Sequence, residues 1–157
     1  MTPITILTPS YNQAQYIRAT IDSVLGQDFP DFEYLVVDGG STDGTVDILK
    51  SYSDPRMRWI SERDKGQTDA LNRGLRMTSG EILTWINSDD VLLPGAVRFM
   101  VETFASRPEI DMFYGDVNII DSAGNVLYVS PSDPLSLEAA VTGDFTVMQQ
   151  GSPGGAA

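Results

Sequence analysis

The 157-residue sequence contains no cysteine and no histidine, and each absence excludes several kinds of site. Without cysteine there are no disulfides, no thiol nucleophiles and no thiolate-bound zinc. Without histidine there are no serine–histidine triads, no imidazole bases and no histidine-ligated metals. A metal ion would have to be held by oxygen atoms, which favours magnesium, manganese or calcium.

Positive charge is scarce as well, because 10 Lys and Arg residues stand against 22 Asp and Glu residues. The net charge of −12 predicts no nucleic acid and no anionic membrane surface as a partner, since both need a basic face. Dense carboxylates can still bind a phosphate-bearing ligand when a divalent cation bridges the two. The acidic excess is steepest in residues 108–157, which contain no basic residue.

Long hydrophobic runs are absent too. No run approaches the ~18 apolar residues that cross a bilayer, so no membrane segment is expected. Residues 1–5 lack the basic and apolar regions of a targeting segment. We therefore expect a cytoplasmic location. Peripheral membrane association through a partner is compatible with the sequence, but no residue argues for it.

Hydrophobic patterning predicts alternating strands and helices. Apolar and β-branched runs predict strands over residues 4–8, 32–38, 57–61, 81–87, 111–120 and 126–129. Helical spacing separates the first five strands, with Asn12 expected to cap the first helix and Pro94 to lie in the first turn of the fourth. The order β-α-β-α-β-α-β-α-β-β predicts an α/β fold with a mostly parallel sheet flanked by helices. We expect one domain over residues 1–148 and a disordered tail over residues 149–157.

Polar clusters follow three of the predicted strands, after Thr8, Val37 and Ile86. The carboxyl ends of parallel strands meet at one edge of a sheet, and ligands of such folds bind there. The coincidence of the three clusters predicts a binding site built from the loops after these strands.

Asp89 and Asp90 form an adjacent acidic pair after the fourth predicted strand. Two neighbouring carboxylates repel each other unless a cation or solvent compensates. One interpretation is a Mg²⁺ or Mn²⁺ ion on a diphosphate. The other is a solvated turn that caps the following helix. The apolar residues on both sides of the pair favour the metal site.

The loop after the first strand carries a second group of candidates. Tyr11 is suited to stacking on a base, and the hydroxyls of Thr8 and Ser10 are suited to hydrogen bonding. The alternative is a plain strand-to-helix loop, which explains Asn12 well and Tyr11 poorly.

Asp38 ends the second strand, where an acid commonly accepts hydrogen bonds from a ribose or a base. The alternative is that Asp38 braces the turn that begins with Gly39 and Gly40, two residues that allow close approach of a ligand. The segment 65–69 opens a helix whose amide groups favour anions, and Lys65 and Arg63 add positive charge. The alternative is ordinary capping of that helix.

Several common motifs are missing. There is no G-x-x-x-x-G-K-[ST], the run 39–44 does not satisfy G-x-G-x-x-G, and the Asp-rich turns do not have the spacing of an EF-hand.

Five sequence blocks together resemble the family 2 glycosyltransferases of the GT-A fold. The blocks are Thr8–Asn12, Val36–Thr45, Asp64–Gly74, Thr78–Ile82 and Asn87–Asp90. Residues 111–130 are similar to the stretch that follows in this family, but less distinctively. The resemblance implies a metal-assisted, inverting hexosyltransferase. It would move a sugar from a nucleotide-diphosphate sugar to a glycan or a lipid-linked acceptor.

The resemblance also implies roles for individual residues. Asp89 and Asp90 would hold Mg²⁺ or Mn²⁺, and Asn87 stands where the family often has the first acid of a D-x-D motif. No catalytic residue is assigned, because the acidic base of inverting members is expected beyond the end of this chain. Nucleotide-sugar binding is implied for Thr8, Pro9, Ser10, Tyr11, Asp38, Gly39, Lys65, Gly66, Gln67, Asp69, Asn72, Asn87, Ser88 and Asp89.

Two other functions are compatible with the sequence. One is a nucleotide-sugar-binding module without turnover, which the missing base favours. The other is a dinucleotide oxidoreductase, which the missing G-x-G-x-x-G disfavours. We also expect self-association, because an apolar patch would be exposed where further chain normally packs.

Overall fold

The computed structural model describes residues 3–132 and divides the chain into two compact units, Met1–Glu109 and Ile110–Ala157. The predicted tail over residues 149–157 lies outside the described residues. The predicted order of strands and helices is confirmed. The elements are β1 (Ile4–Ser10), α1 (Ile17–Leu25), β2 (Phe32–Asp38), α2 (Thr45–Lys50), β3 (Met57–Ser61), α3 (Gln67–Leu75), β4 (Ile82–Trp85) and α4 (Ala96–Ser106) in the first unit, and β5 (Val117–Ile120) and β6 (Val126–Ser130) in the second.

The four strands of the first unit form one parallel sheet in the order β3-β2-β1-β4. Strands β1 and β2 are buried along nearly their whole length, as expected for apolar strands covered on both faces. The chain adds β2 and β3 on one side of β1 and then crosses to add β4 on the other. In parallel sheets of this kind, such a reversal opens a crevice between the loops that follow the two neighbouring strands, here β1 and β4.

Side chains alternate across the sheet and build a core on each face. On one face, Ile4 and Ile6 of β1 pack with buried residues of α1, α2 and α4. On the other face, Leu7 of β1 and Leu35 of β2 pack against Ala70 of α3. The expected α/β fold, a mostly parallel sheet flanked by helices, is therefore confirmed.

Strand β1 is longer than predicted, because Pro9 does not end it. Pro9 is paired with Val37 of β2, whereas β4 accompanies β1 only as far as Leu7. Pro9 therefore has a strand neighbour on one side only, where a missing N–H is tolerated as on an edge strand. The extension places Ser10 beside Asp38 at the ends of the two central strands.

Two predicted helix starts are wrong. Helix α1 has Tyr16, not Asn12, as its N-cap residue, because Asn12 adopts a left-handed φ of 51° and bonds to another loop instead. Helix α4 has Gly95 as its N-cap residue, so Pro94 lies before the helix rather than in its first turn. None of the helices within residues 3–132 is long and apolar enough to cross a membrane.

In the second unit, β5 and β6 form the antiparallel hairpin predicted around residues 122–125. The Asp121 carboxylate stabilises its turn by accepting bonds from the backbone N–H of Ala123 at 2.8 Å and of Asn125 at 2.9 Å. The prediction of a strand from residue 111 is wrong, since β5 begins at Val117. Only residues 117–120 have partners in β6, so residues 111–116 have no ladder to join.

Candidate functional site

The carboxyl ends of the strands in the first unit border a cleft of ≈ 790 Å³, a size that suits a small-molecule ligand. The loops after all four strands and the first turns of α3 form its walls. The lining residues are Pro9, Ser10, Tyr11, Gln13, Gly39, Gly40, Arg63, Asp64, Gly66, Gln67, Ala70, Asn87, Ser88 and Asp89.

The cleft brings together nine of the fourteen residues predicted to contact a nucleotide sugar. These nine are Pro9, Ser10, Tyr11, Gly39, Gly66, Gln67, Asn87, Ser88 and Asp89. The remaining five, Thr8, Asp38, Lys65, Asp69 and Asn72, do not line it. Lys65 and Asn72 are exposed, and the other three bond to protein groups. Ligand contacts by these five residues stay predictions.

Asp38 is fully buried, and its carboxylate is surrounded by protein donors. Its Oδ2 accepts hydrogen bonds from the backbone N–H of Gly40 at 3.1 Å and of Ser41 at 2.9 Å, and from the Ser61 hydroxyl at 2.6 Å. Its Oδ1 accepts a bond from the Ser41 hydroxyl. These contacts brace the glycine-rich turn, which was the alternative interpretation, and thereby shape the cleft wall at Gly39.

Thr8 and Asp69 also support the framework of the cleft. The fully buried Thr8 hydroxyl is 3.2 Å from Tyr34 Oη, and burial raises the pKa of Tyr34, so this phenol keeps its proton. The Asp69 carboxylate accepts the backbone N–H of Lys65 at 3.2 Å and pairs with the Arg73 guanidinium at 3.5 Å. The first interaction joins β1 to β2, and the second fixes the start of α3.

Four hydrogen bonds fasten the loop after β1 to the loop after β2. They run from Asn12 N–H to Ser41 Oγ (2.7 Å), Gln13 N–H to Thr45 Oγ1 (2.9 Å), Ala14 N–H to Asp43 Oδ2 (2.9 Å) and Thr42 N–H to Asn12 Oδ1 (3.0 Å). The fastened loop carries Tyr11, whose side chain is exposed at the cleft. The polar run 41–45 therefore holds the wall of the cleft in place.

Replacing Asp43 with alanine is expected to loosen this wall. Asp43 accepts the Ala14 N–H with one oxygen and the Thr45 N–H and hydroxyl with the other. Because the Ala14 N–H loses its acceptor, we expect its hydrogen exchange, measured by NMR, to become about threefold to tenfold faster. Asp47→Ala is the matched control, because Asp47 is exposed and its side chain bonds to Lys50 within α2. Equal exchange at Ala14 in both variants would contradict the role of this bond.

The loop before α3 is pressed against the glycine-rich turn. Asp64 Oδ1 accepts the Gly66 N–H at 2.8 Å, and a Cβ atom at Gly39 would lie 2.8 Å from Asp64 Oδ2. Only glycine therefore fits at position 39 without displacing Asp64. Arg63 and the positive end of α3 favour an anionic ligand group at this wall.

Asn87 connects α3 to the acidic pair. It accepts a hydrogen bond from Gln67 Nε2 at 2.8 Å and donates one from its own Nδ2 to Asp90 Oδ2 at 3.1 Å. Partial desolvation raises the pKa of Asp90; the Asn87 bond opposes this shift, and the Asp89 carboxylate adds to it. Asn87 stands where a D-x-D motif has its first acid, and it contacts Asp90 instead of supplying a third carboxylate.

Asp89 and Asp90 fit a divalent cation that is shared with a ligand. Both residues are exposed, and Asp89 lines the cleft. Within residues 3–132 no cluster of three or more acidic side chains could enclose a metal. Two carboxylates leave most positions around Mg²⁺ or Mn²⁺ to phosphate oxygens and water, which is the usual arrangement for magnesium on phosphates.

Ser10 adds a polar group with no protein partner. The residue lines the cleft and is 5% exposed, yet its hydroxyl has no hydrogen bond among the residues that the structure describes. Its backbone C=O accepts the Gly39 N–H at 2.8 Å, which fixes its place beside the glycine-rich turn. Buried polar groups are nearly always paired, so the unpaired hydroxyl points to a ligand.

Five lining residues are outside the fourteen predicted to contact a nucleotide sugar: Gln13, Gly40, Arg63, Asp64 and Ala70. The sequence indicates Arg63 as a charge that favours an anion, and Asp64 and Ala70 lie in the block 64–74 that resembles the family. Ala70 follows Gln67 by three positions, a spacing that places both on one helix face. No sequence signal distinguishes Gln13.

Most of the chain matches one known protein family. The family model for "Glycosyl transferase family 2" matches residues 5–131. An uncharacterized glycosyltransferase of Rickettsia felis is 33% identical to this chain over 138 residues, which are 85% of this chain and 23% of that protein.

Two solved structures are similar to this chain, each with a TM-score of 0.61. One is S. aureus TarS 1–349 in complex with UDP-GlcNAc, 26% identical, with 68% of this chain and 32% of that chain covered. The other is the mannosyltransferase PcManGT from Pyrobaculum calidifontis in complex with GDP-Man and Mn²⁺, 29% identical, with 74% and 35% covered. The chain thus spans between about a quarter and a third of the length of these three proteins.

Proposed function

The chain belongs to glycosyl transferase family 2, and from that premise we propose that its cleft binds the nucleoside diphosphate of a nucleotide-sugar donor. The observation that carries the proposal is the convergence of Ser10 at the end of β1, Gly39 after β2 and Asp89 after β4 on one cleft at the reversal of the sheet. The exposed Tyr11 offers a stacking surface for the base, and Gly39 allows close approach of the backbone.

Asp89 and Asp90 are the proposed metal ligands. When bound, Mg²⁺ or Mn²⁺ would neutralise charge on the diphosphate leaving group. The complex of the similar mannosyltransferase with GDP-Man and Mn²⁺ supports this role, as does the lack of histidine in the chain. Asn87 keeps the Asp90 carboxylate in place, and Arg63 adds positive charge on the other side of the cleft.

The proposed reaction of the whole protein is transfer of a hexose from the donor to a glycan or lipid-linked acceptor, with inversion. This chain supplies the donor site of that reaction. Inversion needs a base that removes the proton of the acceptor hydroxyl. No described side chain is proposed for that role, and a cytoplasmic location also stays a prediction.

Calorimetric titration of the chain with UDP, GDP and dTDP tests the donor site, with Mn²⁺ or EDTA present and with NADH as the comparison ligand. We expect at least one nucleoside diphosphate to bind and its affinity to fall in EDTA. The base that binds best then identifies the donor class. Binding of NADH without any diphosphate would contradict the proposal and favour the oxidoreductase.

A binding module without turnover is the second candidate. It is favoured because two acids that could have served as the base, Asp116 and Asp121, are hydrogen-bonded to other protein groups. Asp116 accepts the backbone N–H and hydroxyl of Ser132 at 2.9 and 3.1 Å, and Asp121 holds the turn of the β5–β6 hairpin. Both carboxylates are therefore occupied within the second unit. This candidate predicts diphosphate binding with no sugar release when UDP- and GDP-hexoses are incubated with the chain and analysed by mass spectrometry.

We also propose that the chain self-associates through the open edge of the sheet. Among residues 3–132, β4 pairs only with β1, and its Leu83 and Trp85 side chains are 41% and 61% exposed. A free strand edge with large apolar side chains favours association. Sedimentation velocity is expected to show faster species as the concentration rises, and Trp85→Ser is expected to abolish them. A wild-type monomer at every concentration would count against this proposal.

A further inference from the structure

We propose that Ser23 and Gln27 are positioning residues for the acidic pair, acting through the segment 91–97 that follows it. The inference rests on the proposed role of Asp89 and Asp90 as metal ligands. Neither Ser23 nor Gln27 lines the cleft, and neither belongs to the sequence blocks that resemble the family.

Gln27 lies just after α1 and is buried, with 7% of its surface exposed. Its Nε2 donates to the C=O of Ser23 and to the C=O of Leu93, both at 3.0 Å. Its Oε1 accepts the N–H of Val97 at 3.2 Å. The side-chain amide therefore uses both donors and its acceptor, and two of the three bonds hold the segment that leads into α4.

Ser23 holds the same segment closer to the acidic pair. Its hydroxyl donates to the Thr20 C=O at 2.7 Å and accepts the Leu92 N–H at 3.0 Å. Leu92 is two residues after Asp90, so the backbone directly downstream of the pair is anchored to α1. Upstream, the Ile86 N–H donates to the Leu7 C=O of β1 at 2.9 Å. The acidic turn 87–90 is thus fixed at one end by the sheet and at the other by α1.

Anchoring at both ends matters because the turn carries two like charges. The Asp89 and Asp90 carboxylates repel each other, which favours conformations that separate them when no cation is bound. Within the turn, Asn87 donates to Asp90 and accepts a bond from Gln67 of α3 at 2.8 Å, so α3 holds the upstream end of the turn as well. The downstream end depends on α1. A turn that is already ordered lowers the entropic cost of binding the metal.

Mn²⁺ titrations followed by the EPR signal of the free ion test the inference, in the presence of UDP, GDP or dTDP and in their absence. Gln27→Leu and Ser23→Ala are expected to weaken Mn²⁺ binding about tenfold, the effect of losing a residue that orients a metal ligand. Ser23→Thr keeps the hydroxyl and is expected to bind as wild type does. Binding of the diphosphate in EDTA is expected to be unchanged in all three variants.

Tyr52→Phe is the matched control, because it removes a hydrogen bond of α1 on another side, from Tyr52 Oη to Asp22 at 2.7 Å. If Gln27→Leu does not fold, the difference in Mn²⁺ affinity between Ser23→Ala and Ser23→Thr still tests the inference. Wild-type Mn²⁺ affinity in Ser23→Ala, or equal losses in Ser23→Ala and Tyr52→Phe, would overturn the inference while the proposed function stands. A wild-type chain that binds no Mn²⁺ with any diphosphate would overturn the metal site itself.

Discussion

Asp89→Asn is expected to weaken Mn²⁺-dependent binding of the nucleoside diphosphate by about 10- to 100-fold. Asparagine keeps one oxygen in place but removes the charge, and charge attraction near a protein surface is large at contact distance even after competition by water. Asp89 is the member of the pair that lines the cleft, so its loss should have the larger effect. Isothermal calorimetry with Mn²⁺ and then with EDTA measures the metal-dependent part of the affinity.

The control for this substitution is Asp47→Asn, which removes one charge from an exposed side chain of α2 that bonds to Lys50. It corrects for the small gain in anion binding that any reduction of the −12 net charge would bring. If Asp89→Asn and Asp47→Asn bind the diphosphate equally well with Mn²⁺, the acidic pair does not hold the metal.

Gly80→Ala is expected to lower the free energy of unfolding by about 3 kcal/mol, the upper part of the range for overpacking. A Cβ atom at position 80 would lie 2.6 Å from Thr5 N and 2.9 Å from the C atom of Ile4. Both are backbone atoms of β1, which is held between β2 and β4 and cannot move away. The Gly80 N–H also donates to Thr5 Oγ1 at 3.0 Å, and this bond would be strained by the same movement.

Urea denaturation followed by tryptophan fluorescence measures this loss. Gly115→Ala is the matched control, because a Cβ atom there meets nothing within 4 Å. Both variants add one methyl group, at Gly80 against β1 of the first unit and at Gly115 of the second unit against open space. Equal denaturation midpoints would show that the close approach of Gly80 to β1 is not required for stability.

The sequence was sufficient to predict the alternating α/β fold, because apolar periodicity depends on burial and the strands β1 and β2 are buried. It was insufficient where the local preference of a residue differs from the contact that the residue makes in the folded protein. Asn12 has the properties of a helix cap, but its side chain bonds to Thr42 in a loop thirty residues away. Pro9 has the properties of a strand end, but it lies where β1 has lost its neighbour β4. Both outcomes depend on tertiary contacts that a local pattern does not contain.

The candidate site, too, could be predicted only in part. Ser10, Gly39 and Asp89 line the cleft because they lie at or just after the carboxyl ends of parallel strands, and that position was predictable. The orientation of a side chain does not follow from that place. Asp38 ends β2 as predicted, yet its carboxylate faces donors of the protein. Gln27 gave no signal at all, because its hydrogen bonds to Leu93 and Val97 exist only once the end of α1 is packed against the start of α4.

The cleft at the carboxyl ends of β1, β2, β3 and β4 is the proposed nucleotide-binding site. Hydrogen–deuterium exchange with and without Mn²⁺ and the best-binding nucleoside diphosphate tests it most directly. We predict slower exchange in residues 9–13, 39–41, 63–67 and 87–90, all of which contribute to the cleft wall, and unchanged exchange in residues 117–130 of the second unit. Slower exchange confined to the hairpin, with the cleft unchanged, would contradict the account.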